Sequence, residues 1–155
     1  MTDALQRCDP ELLDELREVV IEMLDGLADA ALAGRSLPDV ERLDSMVVES
    51  TLAIVGDAMR SELVLRVPAP DAVALAAALG DDDPAGVTID EACGVVSELC
   101  NVIAGSAKTL FDAETSLDVP RSIAIPLDSP RPLGAIDVEH ALGHFAVHLG
   151  DARPE

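Results

Sequence analysis

At 155 residues the chain has the length of one domain, and residues 1–155 are expected to form a single one. Apolar residues, at 49%, are enough for a core, but the only aromatics are two Phe, which argues against stacking platforms for bases or sugars. Asp and Glu number 30 against 10 Lys and Arg, so the net charge of −20 disfavours nucleic acid and anionic membrane surfaces as partners and favours a basic protein.

The three cysteines, Cys8, Cys93 and Cys100, are odd in number and form no C-x-x-C pair. No secretory hydrophobic segment opens the chain, and no apolar run reaches the ~18 residues of a membrane span. Together these predict a soluble cytoplasmic protein with reduced thiols and no membrane insertion. Cys93 and Cys100 read as small buried hydrophobes.

Asp9-Pro10 is a helix start, with Asp as N-cap and Pro at the first helical position. Leu12, Leu13, Leu16, Val19, Val20, Met23, Leu24, Leu27, Ala31 and Leu32 recur at three and four, predicting a long amphipathic helix that stops at Gly34. Glu11, Asp14, Glu15, Glu18, Glu22, Asp25 and Asp29 form its solvated face.

From Ser45 the period changes. Met46 to Val55 is rich in β-branched residues, Gly56-Asp57-Ala58 is a turn, and Leu63, Leu65 and Val67 alternate with Glu62, Val64 and Arg66. Ser45 to Val67 therefore reads as a β-hairpin whose second strand is half-buried. Pro68-Ala69-Pro70-Asp71 then opens a short helix ending at Gly80. In the acidic loop from Asp81 to Gly86, three adjacent Asp lack the alternate spacing of a calcium loop.

Thr88-Ile89-Asp90-Glu91 matches a capping box and starts a helix expected to run to about Ala113. Ala92, Val96, Leu99, Ile103, Ala107 and Leu110 form its apolar face, and Asp90, Gly94, Glu98, Asn101, Gly105, Lys108 and Asp112 lie nearly opposite. Strands follow at Ser122 to Leu127 and Ala135 to Val138. The C-terminal stretch fits a helix through Val138, Ala141, Leu142, Phe145 and Leu149, or a strand through Phe145, Val147 and Leu149; Gly143 favours the strand.

No G-x-S-x-G, phosphate-binding loop, dinucleotide fingerprint or H-E-x-x-H is present. His140, His144 and His148 are spaced by four. A helix would gather them as metal ligands; a strand would keep them on one side but too far apart to close on one ion, so a structural role is expected.

That leaves Glu98 and Asn101. Their separation of three places them roughly 60° apart on one helix face. Gly94 lies one turn before Glu98 and Gly105 one turn after Asn101, so the stripe runs glycine, carboxylate, carboxamide, glycine. Each interior glycine costs about 1 kcal/mol relative to alanine, which suggests bare backbone against which something docks. A carboxylate can anchor a partner's Lys, and a carboxamide can orient a water without titrating. Positioning a water in line is most of what acyl phosphate hydrolysis requires.

Glu98-x-x-Asn101, followed by Ile103-Ala104-Gly105-Ser106-Ala107-Lys108-Thr109, resembles the CheC/CheX family of chemotaxis phosphatases, CheX in particular. The resemblance extends more weakly to Gly56-Asp57, Ala78-Leu79-Gly80 and Gly143-His144-Phe145-x-Val147. It implies an α/β fold of the α+β type: a sandwich of a mostly antiparallel sheet with long flanking helices. It also implies hydrolysis of the aspartyl phosphate of a CheY-like response regulator, in a two-component signalling pathway such as chemotaxis. Glu98 would engage the regulator's Lys and Asn101 would orient the attacking water. The protein would need no cofactor of its own, the regulator contributing Mg²⁺, and would form a homodimer through its sheets. The alternative within the same fold is a non-catalytic regulator-binding or flagellar-switch-like scaffold. The chain departs from the family at Gly94, where Asp or Ser is common, at Arg60-Ser61-Glu62, where glycine is common, and in a shorter connection from Leu127 to Gly134.

Overall fold

Residues alternating with period two build a sheet in the middle and at the end of the chain, and helical stripes on either side build its cover. In the computed structural model, which describes residues 10–32, 43–56, 60–80, 83–108, 115–130 and 135–151, three helices and six strands follow in order. They are α1 (Pro10–Leu32), β1 (Met46–Gly56), β2 (Arg60–Pro68), α2 (Ala69–Gly80), α3 (Ile89–Ala107), β3 (Thr115–Leu117), β4 (Arg121–Pro126), β5 (Ile136–His140) and β6 (Gly143–Asp151). A single 3-10 turn, Pro84–Gly86, joins α2 to α3 and is capped by the Asp83 carboxylate, which accepts from the Ala85 N–H at 3.0 Å.

Every strand pairing is antiparallel. The sheet runs β3-β1-β2-β6-β5, with β4 pairing the first half of the β1 edge on which β3 pairs the end. The expected hairpin forms with Leu52 opposite Leu63 and Val48 opposite Val67. β6 joins its far side, Leu63 opposite Leu149 and Leu65 opposite Val147. This register puts Val48, Leu52, Leu63, Leu65, Val147 and Leu149 on one face, where they share a core with Leu16, Val20 and Leu24 of α1, Val73 and Leu75 of α2, and Val96 and Ile103 of α3. Among the described residues Phe145 is the largest fully buried side chain. The mixed α/β sandwich with an antiparallel sheet and flanking helices is the architecture anticipated above.

The second strand of the hairpin is buried on both faces rather than on one. Val64 and Arg66 point away from the helices, yet they are only 7% and 9% exposed. Arg66 tolerates this because its guanidinium is satisfied three times: Nε donates to Glu49 Oε2 at 2.7 Å, and Nη1 and Nη2 donate to the carbonyls of Ser129 and Pro130 at 3.0 and 2.7 Å. Glu49 sits directly opposite it across the β1–β2 pair. The arginine thus clamps the segment after β4 over the sheet.

β3 carries no sequence signal of its own, because three residues are too few for an alternation to register. α3 ends sooner than Ala113: its last regular residue is Ala107, and the Lys108 N–H closes the final turn onto the Ala104 carbonyl. Leu110, Asp112 and Ala113 lie outside the described residues, as do Cys8, the Asp9 cap, the Gly34 stop and the Asp57-Ala58 part of the hairpin turn.

The histidines also sit differently from the single-sided strand expected. The β5–β6 turn falls between His140 and Gly143, which pair directly, so the alternation restarts and His144 lands on the face opposite His140. His140 points to the helices, where Nε2 meets Asp25 Oδ1 of α1 at 2.8 Å. Its Nδ1 accepts from the Leu142 N–H at 3.2 Å, which places the ring proton of the neutral form on Nε2. His144 faces Asp137 on the other side, with Nε2 to Oδ1 at 3.0 Å. The same turn is tied to α2 by the Asp71 carboxylate, which accepts from the His144 N–H at 3.0 Å. Gly143 is required there: its φ is +127°, and a β-carbon would lie 2.8 Å from Asp71.

Among the described residues no helix is long and apolar enough to cross a membrane, and no group of three or more His, Cys, Asp or Glu is gathered to hold a metal ion.

Candidate functional site

The site begins with the rotation of α3 about its axis, which decides what faces solvent. At its N-terminus the capping box forms in full: Thr88 Oγ1 accepts from the Glu91 N–H at 3.1 Å, and Glu91 Oε1 accepts from the Thr88 N–H at 3.0 Å. Along its length Ala92, Val96, Leu99, Cys100, Ile103, Ala104 and Ala107 are buried. Two polar contacts fix the helix to the sheet below. The Ser97 hydroxyl hydrogen-bonds Ser122 of β4, and the Cys100 thiol donates to the Ser50 carbonyl of β1 at 3.9 Å. Ser50 and Ser122 are themselves register partners, so the helix is pinned over one point of the β1–β4 ladder.

With that stripe held down, the opposite stripe faces out. Glu98 and Asn101 are both exposed, and among the described residues neither has a hydrogen-bond or ion-pair partner. An i, i+3 pair on a helix surface has β-carbons about 5–6 Å apart, so one docked group can reach both. Gly94 is exposed and Gly105 half-buried, and a β-carbon built at either would meet no atom within 4 Å. Among the described residues, no packing contact demands a glycine at either position. The two glycines, the acid and the amide therefore share one open face, as the spacing indicated.

Two features of this face need more than the helical spacing of acid and amide. Val102, next to Asn101 and one turn beyond Glu98, is 47% exposed. A helical projection places it at the border of the polar arc, but only the packing shows that nearly half of it stays open to solvent. The Ser97–Ser122 bond joins residues with no sequence signal in common.

Both described cysteines on α3 are held neutral. Burial pushes the Cys100 thiol up to about 11 from an ordinary 9.0. Cys93, half-buried, is raised by desolvation first and by the nearby Asp90 charge second. Neither is poised as a thiolate nucleophile. The three histidines stand on β5 and β6, and none of their contacts given above involves α3.

A family model described as "Chemotaxis phosphatase CheX" matches residues 48–126, just over half of the chain, from β1 through α3 to the end of β4. Solved structures share the fold at low identity. A CheC-like superfamily protein from Shewanella sp. PV-4 superposes with a TM-score of 0.65 at 11% identity, covering 91% of this chain and 97% of that one. The chemotaxis protein CheX from Vibrio vulnificus gives 0.61 at 15% identity, covering 88% and 95%. The CheX–CheY–BeF3–Mg²⁺ complex from Borrelia burgdorferi gives 0.55 at 13% identity, covering 86% and 95%. No curated protein sequence matches the chain significantly.

Proposed function

This chain belongs to the CheC/CheX chemotaxis phosphatase family, and we propose that it acts as one CheX-like domain that hydrolyses the aspartyl phosphate of a CheY-like response regulator. The observation that carries the reading is the outward pair on α3: an acid and an amide, one turn apart, without partners among the described residues and flanked by open backbone.

Glu98 is the anchor. Its carboxylate accepts a charge-assisted hydrogen bond from a Lys on the receiver and thereby sets the register of docking. Asn101 is the catalytic residue. Its carboxamide oxygen accepts a hydrogen bond from a water and holds that oxygen in line with the phosphorus. The new bond forms between water oxygen and phosphorus, and the bond from phosphorus to the aspartyl oxygen breaks. The aspartate leaves as a carboxylate and the phosphate is released with the water's protons shared between it and solvent. Because the amide does not titrate, this positioning is independent of pH over the neutral range. The Borrelia complex, which contains CheY, BeF3 and Mg²⁺ by name, supports the view that the metal arrives with the receiver. The Gly94 and Gly105 stripe lets a receiver approach the helix backbone on either side of the pair.

The test is decay of a phosphorylated receiver with and without the protein. Wild type accelerates it, and Asn101→Ala lowers the acceleration on the order of 100-fold. Glu98→Ala weakens it chiefly at low receiver concentration, as an anchoring residue should. Equal decay with wild type, Asn101→Ala and buffer sinks the catalytic reading.

A further inference from the structure

Every other large apolar residue of α3 is withdrawn from solvent. Val96, Leu99 and Ile103 are buried, and Ile89 and Val95 are half-buried. Val102 alone among them stands 47% exposed. It contributes nothing visible to the core, and a β-branched residue loses side-chain freedom on a helix exterior that a Lys, Gln or Glu would keep. Its place is specific. It follows Glu98 by four residues, so the two side chains stack on the helix surface, and it follows Asn101 directly. Gly105 lies three residues further on, with open space where a side chain would project. A folded partner that seats a cation on Glu98 has Val102 one helical turn away, within reach of the same docking surface.

The physical need for such a residue follows from the charge. An ion pair between Glu98 and a partner Lys, left in water, is worth little and is screened by salt. The chain's net charge of −20 also draws counter-ions that compete for the anchor. An apolar contact beside the pair expels water when the partner seats, lowering the local dielectric and strengthening the bond.

We propose that Val102 is the water-excluding contact of the docking face and sets the affinity for the receiver. This rests on the reading of Glu98 and Asn101 given above. Val102 is a specificity-determining residue: it touches the partner's surface, while the transferred phosphoryl group belongs to Asn101. The occupant is the receiver domain whose Lys meets Glu98, presenting an apolar side chain beside that Lys.

The experiment measures receiver dephosphorylation as a function of receiver concentration and of salt. Val102→Ser raises KM roughly five- to tenfold, leaves kcat within about twofold, and makes KM climb more steeply with salt. Val102→Met keeps apolar area and stays within about twofold of wild type in KM. Thermal melts of both variants match wild type, since the side chain is outside the core. If wild type is active and Val102→Ser has an unchanged KM and salt slope, the inference is overturned and the phosphatase reading stands. If wild type does not speed decay, the catalytic reading fails by itself. The affinity of each variant for the receiver carrying beryllofluoride and Mg²⁺ then decides. Weaker binding by Val102→Ser supports the contact; equal binding, or none by wild type, overturns it.

Discussion

Among the described residues helices α1 and α3 are the two longest, and both bury one stripe and expose another, yet the exposed stripes follow opposite rules. α1 carries an acid on nearly every turn: Glu11, Asp14, Glu15, Glu18, Glu22, Asp25 and Asp29. Where its polar groups have described partners in β5, these serve the fold: Arg17 Nη1 donates to the Asp137 carbonyl at 2.8 Å, and Asp25 meets His140. α3 spends its acids early, with Asp90 and Glu91 in the first turn where the helix dipole and the cap favour them. Beyond that turn its open face is sparse: Gly94, Glu98, Asn101, Val102, Gly105 and Ser106. If α3 is the acting face, as proposed, density of charge is a poor guide to it. The face with few groups and accessible backbone is the one that can receive a folded partner.

The contrast breaks first along α3 itself. Ile103→Ala, on the buried stripe, costs about 2–5 kcal/mol in denaturant unfolding, while Asn101→Ala, two residues away, stays within about 0.5 kcal/mol. A comparable loss for Asn101→Ala would show that its side chain serves folding, and the stripe would no longer be free for function.

The glycines give a sharper comparison, because α1 has one as well. Gly26 and Gly94 each leave open space where a β-carbon would go. Gly26→Ala and Gly94→Ala each stabilise thermal unfolding by roughly 1 kcal/mol through helix propensity. Only Gly94→Ala slows receiver dephosphorylation. If Gly94→Ala gains stability and keeps full activity, the docking stripe shrinks to Glu98, Asn101 and their immediate neighbours.

The smallest expected effect belongs to the acidic face of α1. Neutralising Glu15, Glu18 and Glu22 together to Gln changes dephosphorylation less than about twofold and stability by about 0.5 kcal/mol or less. A large loss of activity in that triple variant would move the docking surface from α3 to α1.

Much of this molecule is legible from period alone. The hairpin, the capping box at Thr88 and the buried stripe of α3 all follow from residues close in sequence, because helix and strand periods are local properties of the backbone. That Glu98 and Asn101 share a face was legible for the same reason, since helical spacing sets it. Arg66 was not. Its alternation with Leu65 and Val67 marks a solvent face, but three acceptors, one across the hairpin and two from residues 129 and 130, draw it out of water. The histidines failed similarly. A spacing of four means one side of a strand only while the strand continues, and the turn at Ala141-Leu142 resets it.

What the amino-acid sequence determined by itself is most of the elements, the apolar stripe of each long helix, and the placing of an acid and an amide on one helix face. These are set within a few residues by steric and hydrophobic preferences that do not consult the rest of the chain. The tertiary structure decided which faces stay open. It seated α3 on the Ser50–Ser122 ladder through Ser97 and Cys100, left Val102 about half exposed, and closed the far side of β2 with Arg66. Exposure is a property of what packs against a residue, and on α3 the neighbours that decide it come from strands tens of residues away.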